Sequence, residues 1–267
     1  MIRLTIGDSN TPIIELRGVS KRFGSLVVLD RLDLAIEEGK TTVVIGESGT
    51  GKSVLLKHIV CLMRPDEGEI YFRGERIDNL REDDLVSYRK RMGFLFQLSA
   101  LFDSMTVGEN IAFPITQHLH KSDKEINRIV AEKLRHVGLD GLQHRRTGEI
   151  SGGQKKRVAL ARAIALDPEV VLYDEPTTGL DPVRADVINE LILRMNKKLN
   201  VTSIVVTHDM VSAYKVGDRI VMLNEGKIIA EGTPQYFKET DNPAVRRFVD
   251  GHASADELRA LDDASTP

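Results

Sequence analysis

Apolar residues in this chain gather into short β-branched runs, separated by turn residues and by stretches of helical spacing. Thr41 to Ile45 is such a run and predicts a buried strand. Ile13 to Val19, Leu26 to Leu29, Leu32 to Ile36 and Glu69 to Phe72 predict further strands around it, with a turn at Lys21 to Gly24. The three that precede Thr41 suggest an antiparallel sheet. Met92 to Phe96, Val170 to Tyr173, Thr202 to Val206 and Arg219 to Leu223 predict later strands. Helical spacing occupies the gaps. Val54, Leu55, His58, Ile59 and Leu62 recur on one face after Lys52, Leu80 to Arg91 is a polar helix, and Pro182 to about Lys198 is another. Strands alternating with helices imply a mostly parallel sheet, hence an α/β fold.

Between Leu98 and Leu166 the β-branched runs thin out and helix signals multiply. Ser122 and Glu125 form a capping box, Ile126, Ile129, Val130, Leu134 and Val137 follow at helical spacing, and Gly138 ends the helix. This region is expected to be a helical subdomain inserted into the α/β core. Pro234 to Glu239 predicts a short helix, and Ser254 to Pro267, with Leu258 and Leu261 three apart, reads as a polar tail.

The chain has 267 residues, a net charge of −3 and one cysteine, Cys61, expected to be buried in the helix after Lys52. Acids and bases are mixed, so no nucleic-acid footprint stands out. Met1 to Asn10 shows no secretory signal. No run approaches the roughly 20 apolar residues of a spanning helix, so any work at a membrane must go through a partner.

Chemistry concentrates in a few places. Gly46-Glu47-Ser48-Gly49-Thr50-Gly51-Lys52-Ser53 matches the phosphate-binding P-loop. Its glycines let backbone N–H groups turn inward on a phosphate, Lys52 can reach β- and γ-phosphates, and Ser53 can offer a hydroxyl to Mg²⁺. The strand Val170 to Tyr173 ends in Asp174 and Glu175, suited to a metal shell and to a base that polarises water. Ser151-Gly152-Gly153-Gln154 is a capping box with more glycine than a cap needs, which suggests a second phosphate site shared between two protomers. Phe23 suits either a stacked purine or an ordinary turn. Asp181-Pro182 is a good helix start.

In this order, from about Ile13 to Gly232, the motifs resemble an ATP-binding-cassette (ABC) ATPase. The resemblance implies a RecA-like mixed-sheet core with an antiparallel β subdomain and an inserted helical subdomain at about 98–166, leaving 233–267 as a C-terminal extension. It makes Gly46 to Ser53 the Walker A, Gln97 the Q-loop glutamine, and Ser151 to Gln154 the signature, with Ile150 where leucine is commonest. Val170 to Asp174 becomes the Walker B, Glu175 the catalytic glutamate, Gly179-Leu180-Asp181 the D-loop, His208 the switch histidine and Phe23 the adenine-stacking residue. ATP and Mg²⁺ are implied, with Ser53, Gln97 and Asp174 around the metal, and so are a second copy of the chain and transmembrane permease subunits.

Gln97-Leu98-Ser99-Ala100-Leu101-Phe102-Asp103, the run Glu109 to Pro114, and Asn242-Pro243 with Val245 to Gly251 are similar to the ATPases of Mla-type phospholipid transporters, which work with MCE-domain proteins. Amino-acid importer ATPases also carry Leu-Phe soon after the Q-loop. The implied place is the cytoplasmic side of the inner membrane, held through a permease.

Overall fold

Strands buried on both faces have no use for alternation, and three runs of this chain lack it. Thr41–Ile45, Val170–Asp174 and Thr202–Val206 are buried at every position. A computed structural model, which describes residues 11–252, places all three side by side.

In chain order, β1 (Ile14–Phe23) and β2 (Leu26–Ile36) form a hairpin. Then β3 (Thr41–Ile45) leads through the P-loop into α1 (Lys52–Ile59). After β4 (Glu67–Phe72), β5 (Glu75–Arg76), α2 (Glu82–Arg89) and β6 (Met92–Leu95), three helices follow: α3 (Val107–His118), α4 (Asp123–His136) and α5 (Gly152–Ala163). The chain returns through β7 (Val170–Asp174), α6 (Pro182–Leu199), β8 (Thr202–Val206), α7 (Met210–Val216), β9 (Arg219–Asn224) and β10 (Lys227–Gly232), and the described part closes with α8 (Pro234–Glu239) and α9 (Pro243–Asp250).

The main sheet has the order β10-β9-β3-β8-β7-β6 and is parallel except at β10. The second sheet, β2-β1-β4-β5, is antiparallel. Successive side chains of the main sheet point to opposite faces, and the two cores follow. Val43, Ile45, Val171, Tyr173 and Val205 face the helices α3 to α9, whereas Val44, Val170, Leu172, Ile204 and Val206 face α1, α2 and the antiparallel sheet. Phe237 and Val245 are fully buried in the first core, so α8 and α9 pack on the same sheet. Among the described residues no helix is long and apolar enough to cross a membrane.

Several predicted details differ. Leu26 to Ile36 is one strand, because Arg31 takes a left-handed φ of 46° and passes the chain through an irregular register instead of breaking it. β1 likewise runs through the predicted turn to Phe23. α1 stops at Ile59. Cys61 has φ 51° and lies beyond the helix, though buried as expected, and Leu62 is exposed. α5 begins at Gly152, directly after the Ser151 cap. The tail with Leu258 and Leu261, and Met1 to Asn10, lie outside the described residues.

Candidate nucleotide site

Strand register decides what gathers at one edge of the main sheet. Val44 pairs with Val206, Val206 with Asp174, and Leu95 with Tyr173. Two residues on from these pairs the chain leaves the sheet, so Gly46, His208, Glu175 and Gln97 emerge from the carboxyl ends of β3, β8, β7 and β6. Ligands of open α/β sheets bind at this edge.

The loop Gly46 to Gly51 is built for close backbone approach. Gly46 has φ 154°, and a Cβ there would lie 2.2 Å from the Leu223 carbonyl oxygen. At Gly51, φ 99°, it would lie 2.8 Å from the Val28 carbonyl oxygen. The loop closes over its own lysine: Lys52 Nζ donates to the carbonyls of Gly46 and Glu47 at 2.7 and 2.8 Å. Burial pulls the Lys52 ammonium below the usual lysine range, opposed by the charges of Glu175, Asp174 and Glu47. α1, like α2, has no side-chain cap at its N-terminus, whereas each helix from α3 to α9 has one. Its first N–H groups are left to an external acceptor, which fits a bound phosphate.

Ser53 Oγ donates to Asp174 Oδ1 at 2.9 Å. Asp174 is buried, and its carboxyl is held above the usual aspartate range by that burial, with the Ser53 hydrogen bond opposing. Among the described residues no group of three His, Cys, Asp or Glu could hold a metal. The donors are one hydroxyl and one carboxylate, a set that suits a magnesium ion sharing its shell with phosphates and water.

Glu175 follows β7 with φ 48°, an uncommon conformation for a residue with a Cβ. Its N–H donates to the Val206 carbonyl at 2.9 Å. Its Oε2 accepts from Thr178 Oγ1 at 3.0 Å and lies 2.9 Å from His208 Nδ1. The carboxylate is held from two sides at the mouth of the sheet, with His208 itself exposed to solvent.

The structure thus brings Lys52, Ser53, Asp174, Glu175 and His208 together. Phe23 ends β1 with a half-exposed ring, and Gln97 stands exposed past β6. Ser151 and Asp181 are engaged as helix caps, accepting from the N–H groups of Gln154 and Arg184. Ser151, Gly153 and Gln154 line a cleft with Arg184 and Val187, apart from the cleft beside Glu47 to Thr50.

Sequence reasoning missed three contacts. Thr178 on Glu175 could have been found from its place three residues on. Lys156, whose ammonium reaches the Gln97 and Glu175 carbonyls, was readable only as a buried cation in a helix. Arg247 of α9 pairs with Glu47 of the P-loop at 2.8 Å from 200 residues away, and no local pattern announces it.

A glycine-cradled lysine at the edge of a parallel sheet, with acids at the neighbouring strand tips, defines a P-loop nucleotide-binding protein. The sequence profile of the ABC transporter family matches residues 29–178, and the chain belongs to that family. It binds ATP and hydrolyses it, as the ATPases of this family do. The chain is 42% identical over 244 residues to the intermembrane phospholipid transport system ATP-binding protein MlaF of Haemophilus influenzae, covering 91% of this chain and 92% of that one. It is also 42% identical to a probable ribonucleotide transport ATP-binding protein, mkl, of Mycobacterium leprae, covering 92% of this chain and 72% of that one. Among solved structures, the dimeric post-hydrolysis state of the ATP-binding cassette MJ0796 with ADP and Pi superposes with a TM-score of 0.77 at 33% identity, over 83% of this chain and 98% of that one.

Proposed function

We propose that this chain powers the movement of phospholipid between the inner and outer membranes, docked on a permease at the cytoplasmic face of the inner membrane and working with an MCE-domain lipid-binding protein. The observation that carries this is the reach of the MlaF match: it spans nine-tenths of both chains, and its 244 residues exceed the cassette from 13 to 232. The cassette carries an inserted helical subdomain at about 98–166, and 233–267 extend it.

Two copies would enclose two ATP molecules, Ser151 to Gln154 and Asp181 of one copy facing the nucleotide on the P-loop of the other. The dimeric MJ0796 cassette supports that arrangement. Phe23 would stack on adenine, and Gly46 to Ser53 would wrap the phosphates. Ser53 and Gln97 would hold Mg²⁺, with Asp174 behind Ser53. The ion, when bound, neutralises charge on the β- and γ-phosphates. Glu175 orients and polarises the attacking water, while His208 steadies the glutamate and faces the γ-phosphate. A base so placed contributes about 10²–10⁴ in rate.

A groove of about 520 Å³ between α2, β6 and α3 offers the permease a seat. Phe94, Phe96, Phe102, Phe113 and Pro114 line it, and Phe102 packs on Phe113 with ring centroids 4.8 Å apart. Ile111, by contrast, is fully buried in the core. Because the groove wall includes Phe96 and Ala100, which flank Gln97, nucleotide-driven movement of Gln97 would reshape it.

Affinity purification from solubilised native membranes, with mass spectrometry of proteins and lipids, tests the proposal. Recovery of a permease, an MCE-domain protein and phospholipid is expected. Recovery of a permease with a periplasmic binding protein for amino acids or nucleotides would overturn the phospholipid assignment and leave the ATPase standing.

A further inference from the structure

α5 follows its Ser151 cap, and two of its cations, Lys156 and Arg162, donate to backbone carbonyls of the segments that leave β6 and β7. Lys156 is only 7% exposed, yet among the described residues no carboxylate forms an ion pair with it. Its Nζ donates instead to two backbone carbonyls, those of Gln97 and Glu175, each at 3.2 Å. Buried ammonium groups are costly to desolvate, and burial does lower the Lys156 ammonium below the usual lysine range. A cation kept in such a place needs a reason.

The two carbonyls supply one. β6 and β7 run in register only as far as Leu95 and Tyr173. Beyond that pair the ladder no longer joins them, and Gln97 and Glu175 leave the sheet separately. Lys156 is the bridge across the gap. Glu175 also holds its left-handed φ of 48° with that carbonyl engaged. The same device recurs further along α5. Arg162 donates to the Ser99 and Ala100 carbonyls at 2.9 and 2.7 Å, and those residues have φ 65° and 46°. Three of the left-handed residues around the site are thus held by cations of one helix.

We infer that Lys156 is a positioning residue for hydrolysis: it fixes the backbone of Glu175 against that of Gln97, so that the water-polarising carboxylate and the metal-side amide keep one relative placement. The inference rests on the assignment of Glu175 and Gln97 made above. It also gives α5 a mechanical role, since the helix that holds both carbonyls is capped by the signature serine.

The test compares the full chain, purified with its native membrane partners, with Lys156→Met, Lys156→Arg and Glu175→Gln. Lys156→Met should lower kcat about tenfold or more while ATP affinity, measured without Mg²⁺, stays within roughly threefold, and Lys156→Arg should recover most of the rate. An unchanged kcat in Lys156→Met overturns the inference. So does a parallel fall in rate and ATP affinity, the mark of a general packing defect, or a failure of Lys156→Arg to restore turnover. Glu175→Gln separates the two layers: parental turnover there sinks the site assignment itself, whereas an inactive Glu175→Gln beside a fully active Lys156→Met sinks only the role of Lys156.

Discussion

His208 Nδ1 stands 2.9 Å from Glu175 Oε2, joining the tips of β8 and β7. The two partners are unequal. The Glu175 side chain is 10% exposed and the His208 side chain 58%. The glutamate is therefore the fixed member, and the imidazole is the one free to turn, as the proposed contact with a γ-phosphate requires. His208→Ala should lower kcat by about 10–100-fold, within the range of a lost positioning contact at a reacting centre. Stability should move by less than about 1 kcal/mol, because the pair is open to solvent on one side. Steady-state phosphate release and urea unfolding of the same preparation check both halves. A rate equal to the parent's would remove His208 from the mechanism.

Asp174 predicts a trade of stability for function. Its folded pKa is raised, chiefly by burial. A carboxyl of this kind favours the fold most below its unfolded pKa, and that contribution fades as pH rises through the folded value. Without nucleotide and metal, Asp174→Asn should therefore raise Tm at neutral pH, by roughly 2–4 °C for each kcal/mol recovered, and the gain over the parent should shrink as pH falls through the titration. The Ser53 hydrogen bond survives, since the amide oxygen can still accept. Hydrolysis should be lost. A lower Tm across neutral pH would contradict the argument.

The last described helix, α9, is held by contacts of unequal strength, of which Arg247 and Val245 are the extremes. Arg247 pairs with Glu47 at 2.8 Å, but both side chains are over a third exposed. Val245 is fully buried. Arg247→Ala should cost under about 1 kcal/mol, whereas Val245→Ala should cost about 2 kcal/mol through lost burial and the cavity left behind. Urea denaturation ranks them. The reverse order would mean that α9 is held by its contact with the P-loop and not by the core.

Cys61 offers a probe of the fold around α1. Burial pushes its thiol up to about 12, and the residue is 3% exposed. A disulfide reagent should react slowly at pH 8 in the native state and rapidly once the protein is unfolded. Fast native labelling would show that the segment after α1 opens readily.

Much of this was legible in the sequence. Buried parallel strands announce themselves as β-branched runs, and Gly46 to Ser53 needs so specific a backbone that its residues are nearly dictated. Helix caps at Ser122, Ser151 and Asp181 were equally readable, because capping is local. α3 was harder: Pro114 lies inside it, and its buried face mixes Val107, Ile111 and Ile115 with the polar Asn110. The ends of α1 and the irregular β1–β2 pairing depend on left-handed residues, Cys61 and Arg31, whose types give no warning. Side chains that reach across the fold, such as Lys156 to Glu175 and Arg247 to Glu47, are set by packing, which no short window of sequence contains.

If Glu175 is the residue that polarises water, hydrolysis requires it and ATP binding does not. The most direct measurement is Mg²⁺-dependent phosphate release by the full chain and by Glu175→Gln, with ATP affinity determined for each. Glu175→Gln should bind ATP within roughly threefold of the parent while phosphate release falls by at least about 10²-fold. Release at the parental rate, with ATP binding intact, would contradict this role of Glu175.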